Sequence, residues 1–188
     1  MIETVLAALI AAKIRHYKLK YLFMSWTFYP IIALEIILFF FQTNTFLSNY
    51  FYVIHFDRYF KTIYILAYLV PILYFKLYKQ SLIGSASVLV GTLLNRFVMA
   101  QNGGKMPVFP TLSYLTGYLK PYTFDQVNDY HVFGDASSRF KILCDYIDVG
   151  YNVMSPGDLF IHFFVFIIIY SAIKELNLKH KEEFVKAG

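Results

Sequence analysis

Residues 163–170 read FFVFIIIY and residues 31–41 read IIALEIILFFF, with Glu35 as the only charged side chain in either run. Over the whole chain 58% of the residues are apolar and 15% are charged, whereas soluble domains are about half apolar and about a quarter charged. An aromatic content of 20% suits membrane interfaces as well as a spanning bundle. The composition therefore excludes a water-soluble single domain as the leading interpretation.

The apolar runs predict transmembrane helices. A bilayer core of about 30 Å requires roughly 20 residues of α-helix. Four runs reach or approach this length, and a fifth run at the N-terminus indicates a thin or tilted helix; the predicted spans are residues 2–14, 31–47, 60–78, 82–100 and 158–176. Pro30 suits the start of a helix and Pro71 predicts a kink. We expect an all-α polytopic membrane helical bundle of about five transmembrane helices, forming one integral membrane domain over residues 1–188.

The basic residues predict the orientation of these spans. Ten of the seventeen Lys and Arg residues lie between residues 13 and 20, at positions 76 and 79, or after residue 173. Cytoplasmic segments near membrane spans are enriched in Lys and Arg. We therefore predict a cell (inner) membrane protein with its N-terminus outside and its C-terminus in the cytoplasm.

Residues 101–157 form a segment that is too polar to span a membrane and too long for a plain connector. We expect a long, structured external loop, and long ordered loops often carry function. Its acidic residues are Asp125, Asp129, Asp135, Asp145 and Asp148. The spacing of Phe140, Leu143, Cys144 and Ile147 predicts a short amphipathic helix over residues 137–149.

The predicted helix at 82–100 carries a stripe of small or polar residues on one face, namely Gly84, Ser87, Gly91 and Asn95. Small residues at this spacing allow membrane helices to approach closely. Arg96 lies near the outer end of the same helix. Its side chain either extends to the membrane surface or holds a carboxylate or a lipid phosphate in a bidentate fork.

The sequence QNGGKMPV follows this helix at residues 101–108. Gly103 and Gly104 suit positive φ and a helix end, and Pro107 disfavours further helix. A helix cap accounts for one glycine. Two glycines between Asn102 and Lys105 also favour a nest of backbone N–H groups that receives an anion or a lipid headgroup, and both interpretations stay open.

Asp148 lies near the C-terminus of the predicted amphipathic helix, where the helix dipole opposes a carboxylate. We therefore expect a compensating partner, for which Arg96 is the candidate. Asp145, four residues after Lys141, suits an ordinary exposed ion pair. His131 and these aspartates hold no dense ligand motif, and the single cysteine, Cys144, excludes a cysteine cluster, so we predict neither a metal nor a cofactor.

The sequence SPGD at residues 155–158 predicts a helix start, with Ser155 as the cap and Asp158 completing a capping box. His162 lies one turn further on the same face. Ionisable groups at membrane depth are costly, so Asp158 and His162 also form a candidate site. Glu35, with Gln42 on the same side of its helix, is either a neutral hydrogen-bonded link between helices or part of a proton or substrate relay.

These residues together form a recognisable pattern, which consists of Asn95, QNGGKMPV, His131, Asp145 with Asp148, and SPGD. The pattern resembles domain-of-unknown-function family 5317, small multi-pass bacterial membrane proteins best represented among Firmicutes, including clostridia. The resemblance extends over nearly the whole chain, and its most specific part is Asn-Gly-Gly-x-Met-Pro-Val followed by Ser-x-Gly-Asp. It implies a multi-pass inner-membrane protein and supplies no activity.

Three functions stay open at this point. The leading one is binding of a small or lipid-like ligand at the outer mouth of the bundle; the candidate binding residues are Asn95, Arg96, Asn102, Gly103, Gly104, Lys105, His131 and Asp145. The second is an enzyme that acts on a lipid or lipid-linked substrate, with Asp148, Asp158 and His162 as acid and base. The third is a scaffold or sensor subunit of a membrane complex. The expected partner is the lipid bilayer, with no nucleic acid, and partner proteins are not predicted.

Overall fold

The computed structural model describes residues 2–48, 63–120, 123–126 and 130–187, and in 41–48, 125–126 and 182–187 it describes the backbone alone. Helices dominate these residues. The α-helices are α1 (Ile2–Ile14), α2 (Lys20–Met24), α3 (Tyr29–Ser48), α4 (Leu69–Tyr74), α5 (Tyr78–Gln101), α6 (Leu112–Leu115), α7 (Thr123–Gln126) and α8 (Pro156–Ala187). Short 3-10 helices cover Trp26–Phe28 and Lys141–Leu143, and the strands are β1 (Met106–Val108), β2 (His131–Phe133), β3 (Ile147–Asp148) and β4 (Val153–Met154).

Two of the described helices are long and apolar enough to cross a membrane, judged by length and composition; they are Tyr78–Gln101 and Pro156–Lys181. Shorter apolar helices cover Trp26–Phe40 and Ile63–Tyr74. The predicted helices at 2–14, 31–47, 82–100 and 158–176 are all present as helices. The chain is therefore mostly helical, as expected, and two spans of the expected five meet the requirements of length and hydropathy.

The predicted second span differs from the structure at its C-terminal end. Helical structure is interrupted at Tyr68, one turn before Pro71, because proline has no N–H to continue the helical hydrogen bonds. The helix then ends at Tyr74, not at residue 78, and Lys76 takes a positive φ of 55° in the turn before α5. The first residues of the predicted span, 60–62, lie outside the described part of the chain.

The described residues divide into two compact units. The first unit takes the described parts of residues 1–43, 55–86 and 162–188. Its core includes the fully buried Ala8 and Ala12 of α1, together with Tyr68 and an apolar face of α8 that includes Val165 and Ile168. A Cβ placed on Gly84 would lie 2.8 Å from the Phe164 side chain, so close helix packing requires glycine there.

The second unit takes the described parts of residues 44–54 and 87–161. Its strands form two small sheets: β1 pairs in parallel with β2, and β3 pairs antiparallel with β4. Val98, Met106 and Cys144 form a buried cluster. In the same unit a Cβ on Gly91 would lie 2.3 Å from the carbonyl oxygen of Gly157. The small-residue stripe is therefore confirmed as a packing surface.

The amphipathic helix predicted at 137–149 is wrong. Phe140 has a positive φ of 54°, which interrupts a right-handed helix. The backbone then pairs with the segment at β1: the N–H of Asp145 donates to the Pro107 carbonyl at 3.1 Å, and the N–H of Phe109 donates to the Asp145 carbonyl at 2.7 Å. The ion pair expected between Lys141 and Asp145 required both residues to lie on one helix, and they do not.

Candidate functional site

The C-terminal end of α5 forms the first wall of the candidate site. Gly103 and Gly104 have φ values of 65° and 82°, and the N–H of Gly104 donates to the Met99 carbonyl at 2.8 Å. This is the 6→1 hydrogen bond of the Schellman motif, which ends many helices. A Cβ at either glycine would meet no atom within 4 Å, so the requirement for glycine is conformational. The predicted helix cap is confirmed.

Asn102 connects this helix end to a distant part of the loop. Its Nδ2 donates to the Val98 carbonyl at 2.9 Å and to the Arg139 carbonyl at 3.1 Å, and its Oδ1 accepts from the Arg139 N–H at 2.9 Å. The carboxamide therefore pairs with both backbone groups of Arg139. Two hydrogen bonds join the two segments through this one side chain, which makes Asn102 an organising residue of the site.

A cleft of about 430 Å³ lies beside this contact. We call it the Asn102 cleft, and it is lined by Gln101, Asn102, Gly103, Pro107, Val132, Phe133, Asp135, Ser137, Ser138 and Arg139. Two residues of the predicted set, Asn102 and Gly103, line it. The cleft residues Asp135, Ser137, Ser138 and Arg139 were not predicted as site residues from the sequence. The spacing of Asp135, Ser137 and Ser138 could have indicated a turn here, because an Asp side chain readily accepts hydrogen bonds from residues two and three positions later and forms an Asx-turn.

Asp135 forms that turn. Its Oδ1 accepts from the Ser137 hydroxyl at 2.7 Å, the Ser137 N–H at 2.8 Å and the Ser138 N–H at 3.1 Å. These hydrogen bonds, those from Ser137 first, lower the pKa of Asp135 below its ordinary value. The carboxylate is therefore charged at neutral pH, and the lining of the cleft includes both this anion and the cationic residue Arg139.

His131 and Asp145 lie close together in the same unit. The His131 Nε2 is 3.5 Å from the Asp145 Oδ2, and Asp145 is buried. The imidazole also stacks on Phe124, with ring centroids 5.9 Å apart. Within the residues that the structure describes, no group of three or more His, Cys, Asp or Glu side chains is arranged to hold a metal ion. His131 and Asp145 thus form a pair, and neither lines the Asn102 cleft.

Asn95 and Asp158 meet at the start of α8. The Asp158 N–H donates to the Ser155 hydroxyl at 3.0 Å and the Ser155 N–H donates to the Asp158 Oδ2 at 2.9 Å, which confirms the capping box. The Asn95 Nδ2 donates to the Asp158 Oδ1 at 2.9 Å, and the Ser155 hydroxyl donates to the Asn95 Oδ1 at 2.8 Å. The geometry gives Asp158 a capping and helix-joining role.

Asp148 has partners other than the one expected. Its Oδ2 accepts from the N–H groups of Thr111 at 2.7 Å and Ser113 at 2.8 Å. Its Oδ1 accepts from the Ser113 hydroxyl at 2.6 Å and the Gly150 N–H at 2.8 Å. Burial alone would raise the pKa of Asp148, but these hydrogen bonds outweigh it and lower the pKa.

The predicted contact between Arg96 and Asp148 is absent from the described residues, and Arg96 is exposed. Neutral donors compensate the carboxylate in place of the expected cation. Arg96, Gly104 and Lys105 do not line the Asn102 cleft.

His162 and Glu35 lie in the first unit. The His162 Nδ1 is 3.0 Å from the Thr4 hydroxyl and 3.8 Å from the Glu3 Oε1. The Tyr64 hydroxyl donates to the Glu35 Oε1 and lies 2.9 Å from the Tyr68 hydroxyl. The Glu35 carboxyl group therefore links helices by hydrogen bonds, as one of the two interpretations predicted. The side chain of Gln42 is outside the described part of the structure.

Comparison with known proteins supports the resemblance drawn from the sequence. Residues 19–170 match the model of a family described as Family of unknown function (DUF5317). The match includes the whole Asn102 cleft. No curated protein and no solved structure matches the chain.

Proposed function

The chain belongs to the DUF5317 family, and we propose that it is a multi-pass membrane protein that binds a small polar ligand in the Asn102 cleft. The ligand carries an anionic group that pairs with Arg139 and a hydrogen-bond donor that pairs with Asp135. The proposal has two parts, membrane insertion and ligand binding, which rest on different observations.

Membrane insertion is supported by apolar side chains that face outward. In α5, Leu82 is 74% exposed, Leu89 61% and Leu93 56%. An apolar helix of a soluble core would bury such residues, and large exposed apolar surfaces are costly in water. Exposed Ile10, Ile36 and Phe40 repeat the pattern on α1 and α3. The charge distribution of the sequence favours an outward N-terminus, an external 101–157 loop and a cytoplasmic C-terminus.

Ligand binding is supported by a single observation, the three hydrogen bonds of Asn102 that fix both sides of the cleft. A site whose walls are already in place loses little conformational entropy when it binds. The volume of about 430 Å³ lies within the usual range of small-molecule sites. The polar residues on its wall favour a polar ligand over an acyl chain. Arg139 is suited to a carboxylate or phosphate because its guanidinium forms paired hydrogen bonds with either group.

The proposal is tested by native mass spectrometry of the protein released gently from membranes. We expect wild type to carry a small co-purifying mass that Arg139→Gln loses. Lys141→Gln is the matched control, because Lys141 is an exposed cation two residues away that does not line the cleft. A bare wild-type protein, or equal retention in wild type and Arg139→Gln, would contradict ligand binding and favour the scaffold function.

The enzyme alternative has less support. Asp148 bonds to Thr111, Ser113 and Gly150, and Asp158 bonds to Asn95 and Ser155. His162 contacts Thr4 and Glu3. The candidate acid and base residues thus have separate sets of partners, and general acid–base catalysis requires them to converge on one reacting group.

A further inference from the structure

Three segments that are distant in sequence meet within the first unit. The turn after α1 contacts α8: the Lys18 N–H donates to the Asn177 Oδ1 at 2.8 Å, and the Asn177 Nδ2 donates to the Lys18 carbonyl at 3.3 Å. Near this contact the ring of Tyr21 stacks on His180, with centroids 4.0 Å apart. The segment that joins α1 to α2 is therefore held against the C-terminal half of α8.

The turn between α4 and α5 contacts the same part of α8. The Lys179 ammonium lies 4.7 Å from the ring centroid of Tyr74 and 5.2 Å from that of Phe75. Such distances are typical of cation–π contacts. Trp26 in turn packs edge-on against Tyr74, with centroids 5.7 Å apart. All three segments therefore lie at one end of the first unit.

These segments carry nine exposed cations, which we call the basic collar: Lys13, Arg15, Lys18, Lys20, Lys76, Lys79, Lys174, Lys179 and Lys181. Among the described side chains of residues 13–20, 74–79 and 174–181, Glu175 is the one acid. Like charges at this density repel one another unless anions neutralise them. The nine cations outnumber the acids of these segments even when Glu182 and Glu183, which follow Lys181 in the sequence, are counted with Glu175. The collar therefore carries a net positive charge that is suited to an anionic partner.

Aromatic side chains identify the kind of partner. Trp26, Tyr74 and Tyr78 lie in or beside the same segments and are each about half exposed or more. Exposed Trp and Tyr next to Lys and Arg are typical of the headgroup level of a membrane, where an amphipathic ring has apolar and polar surroundings at once. A binding surface for an acidic protein would not require these exposed rings beside apolar helices.

We propose that the basic collar binds the phosphate groups of anionic phospholipids. The inference rests on the membrane insertion in the proposed function and does not depend on the Asn102 cleft. Clusters of Lys and Arg directly beside membrane helices attract anionic lipids, and the attraction adds up over the cations involved. The collar gathers its cations from three segments, so the binding surface exists only in the folded protein.

The test uses native mass spectrometry of the full chain in a neutral detergent, titrated with equal concentrations of phosphatidylglycerol and phosphatidylcholine. We expect wild type to retain phosphatidylglycerol in preference to phosphatidylcholine. In the double variant Lys76→Gln with Lys79→Gln, the preference for phosphatidylglycerol over phosphatidylcholine should fall about tenfold. Lys120→Gln with Lys141→Gln is the matched control, since both cations lie in the second unit and neither belongs to the basic collar nor lines the Asn102 cleft. It should retain the wild-type preference.

Equal retention of the two lipids by wild type would overturn the proposal, as would equal losses in the two double variants. Failure of the proposed function gives different results. Extraction of the protein from membranes by alkaline carbonate would refute membrane insertion, and absence of a small co-purifying mass would refute the cleft. Neither result changes the measured lipid preference.

Discussion

Replacement of Asp148 by Asn should release two segments of the loop at once. The carboxylate accepts four hydrogen bonds from Thr111, Ser113 and Gly150, and the Asn amide would present N–H groups to at least one pair of these donors. A hydrogen bond to a charged acceptor contributes about 1.5–3 kcal/mol. Loss of two such bonds, reduced because Asp148 is only partly buried, corresponds to about 2–4 kcal/mol of local stability.

Amide hydrogen exchange measures this loss directly. The N–H groups of Thr111, Ser113 and Gly150 should exchange at least about thirtyfold faster in Asp148→Asn than in wild type, because exchange follows the free energy of local opening. Asp135→Asn is the control, since the Asp135 bonds stay within residues 135–138. Unchanged exchange at the three amides in Asp148→Asn would refute the assigned role of the carboxylate.

The same carboxylate predicts a pH dependence. Its folded-state pKa is below the ordinary value, so its stabilisation is fully present above the unfolded-state pKa of about 4. It is lost as the pH falls through the folded-state value. The exchange rate at Thr111 and Ser113, divided by the intrinsic rate of an unprotected amide at the same pH, should therefore rise in wild type below about pH 4. Asp148→Asn should show no such rise.

Two further predictions concern helix packing and orientation. Gly91→Ala should destabilise the protein by about 1–3 kcal/mol in thermal unfolding, because its Cβ would overlap the Gly157 carbonyl. The control, Ala86→Val, changes an exposed position of the same helix and should alter the stability little. Equal destabilisation by the two variants would contradict the packing role of Gly91. A cysteine at exposed Ala136 should react with a membrane-impermeant reagent in intact cells, whereas one at exposed Lys79 should react only after permeabilisation; the reverse pattern would invert the predicted topology.

The parts of the fold that depend on neighbouring residues were predictable from the sequence. Ser155 and Asp158 form the expected capping box, and Gly103 and Gly104 have the expected positive φ, because three or four consecutive residues determine these features. The small-residue stripe was predictable for the same reason, since residues three and four apart share a helix face.

The parts that depend on distant pairing were not predictable. The apolar spacing at Phe140, Leu143 and Cys144 fits a helix, yet the backbone there pairs with β1, and strands of two or three residues are too short to show a period of two. Asp148 was expected to require a cation, whereas neutral N–H groups stabilise it equally well when several converge. Arg139 was missed as a site residue because its contact with Asn102 joins positions 37 residues apart.

The parallel pairing of β1 with β2 has a consequence for the order in which the protein assembles. Met106 pairs with His131 and Val108 pairs with Phe133, so the ribosome must have released the chain beyond residue 133 before β1 and β2 can pair. The bridge from Val108 to Asp145 must wait until residue 145 has been released. Helices form from local contacts within microseconds. Pairing of distant segments is slower, because the chain between them must first lose conformational entropy. The helix that ends at Gln101 is therefore complete well before Arg139 reaches Asn102. The Asn102 cleft therefore cannot form until residue 139 has been synthesised, and a chain truncated before residue 139 would lack it entirely.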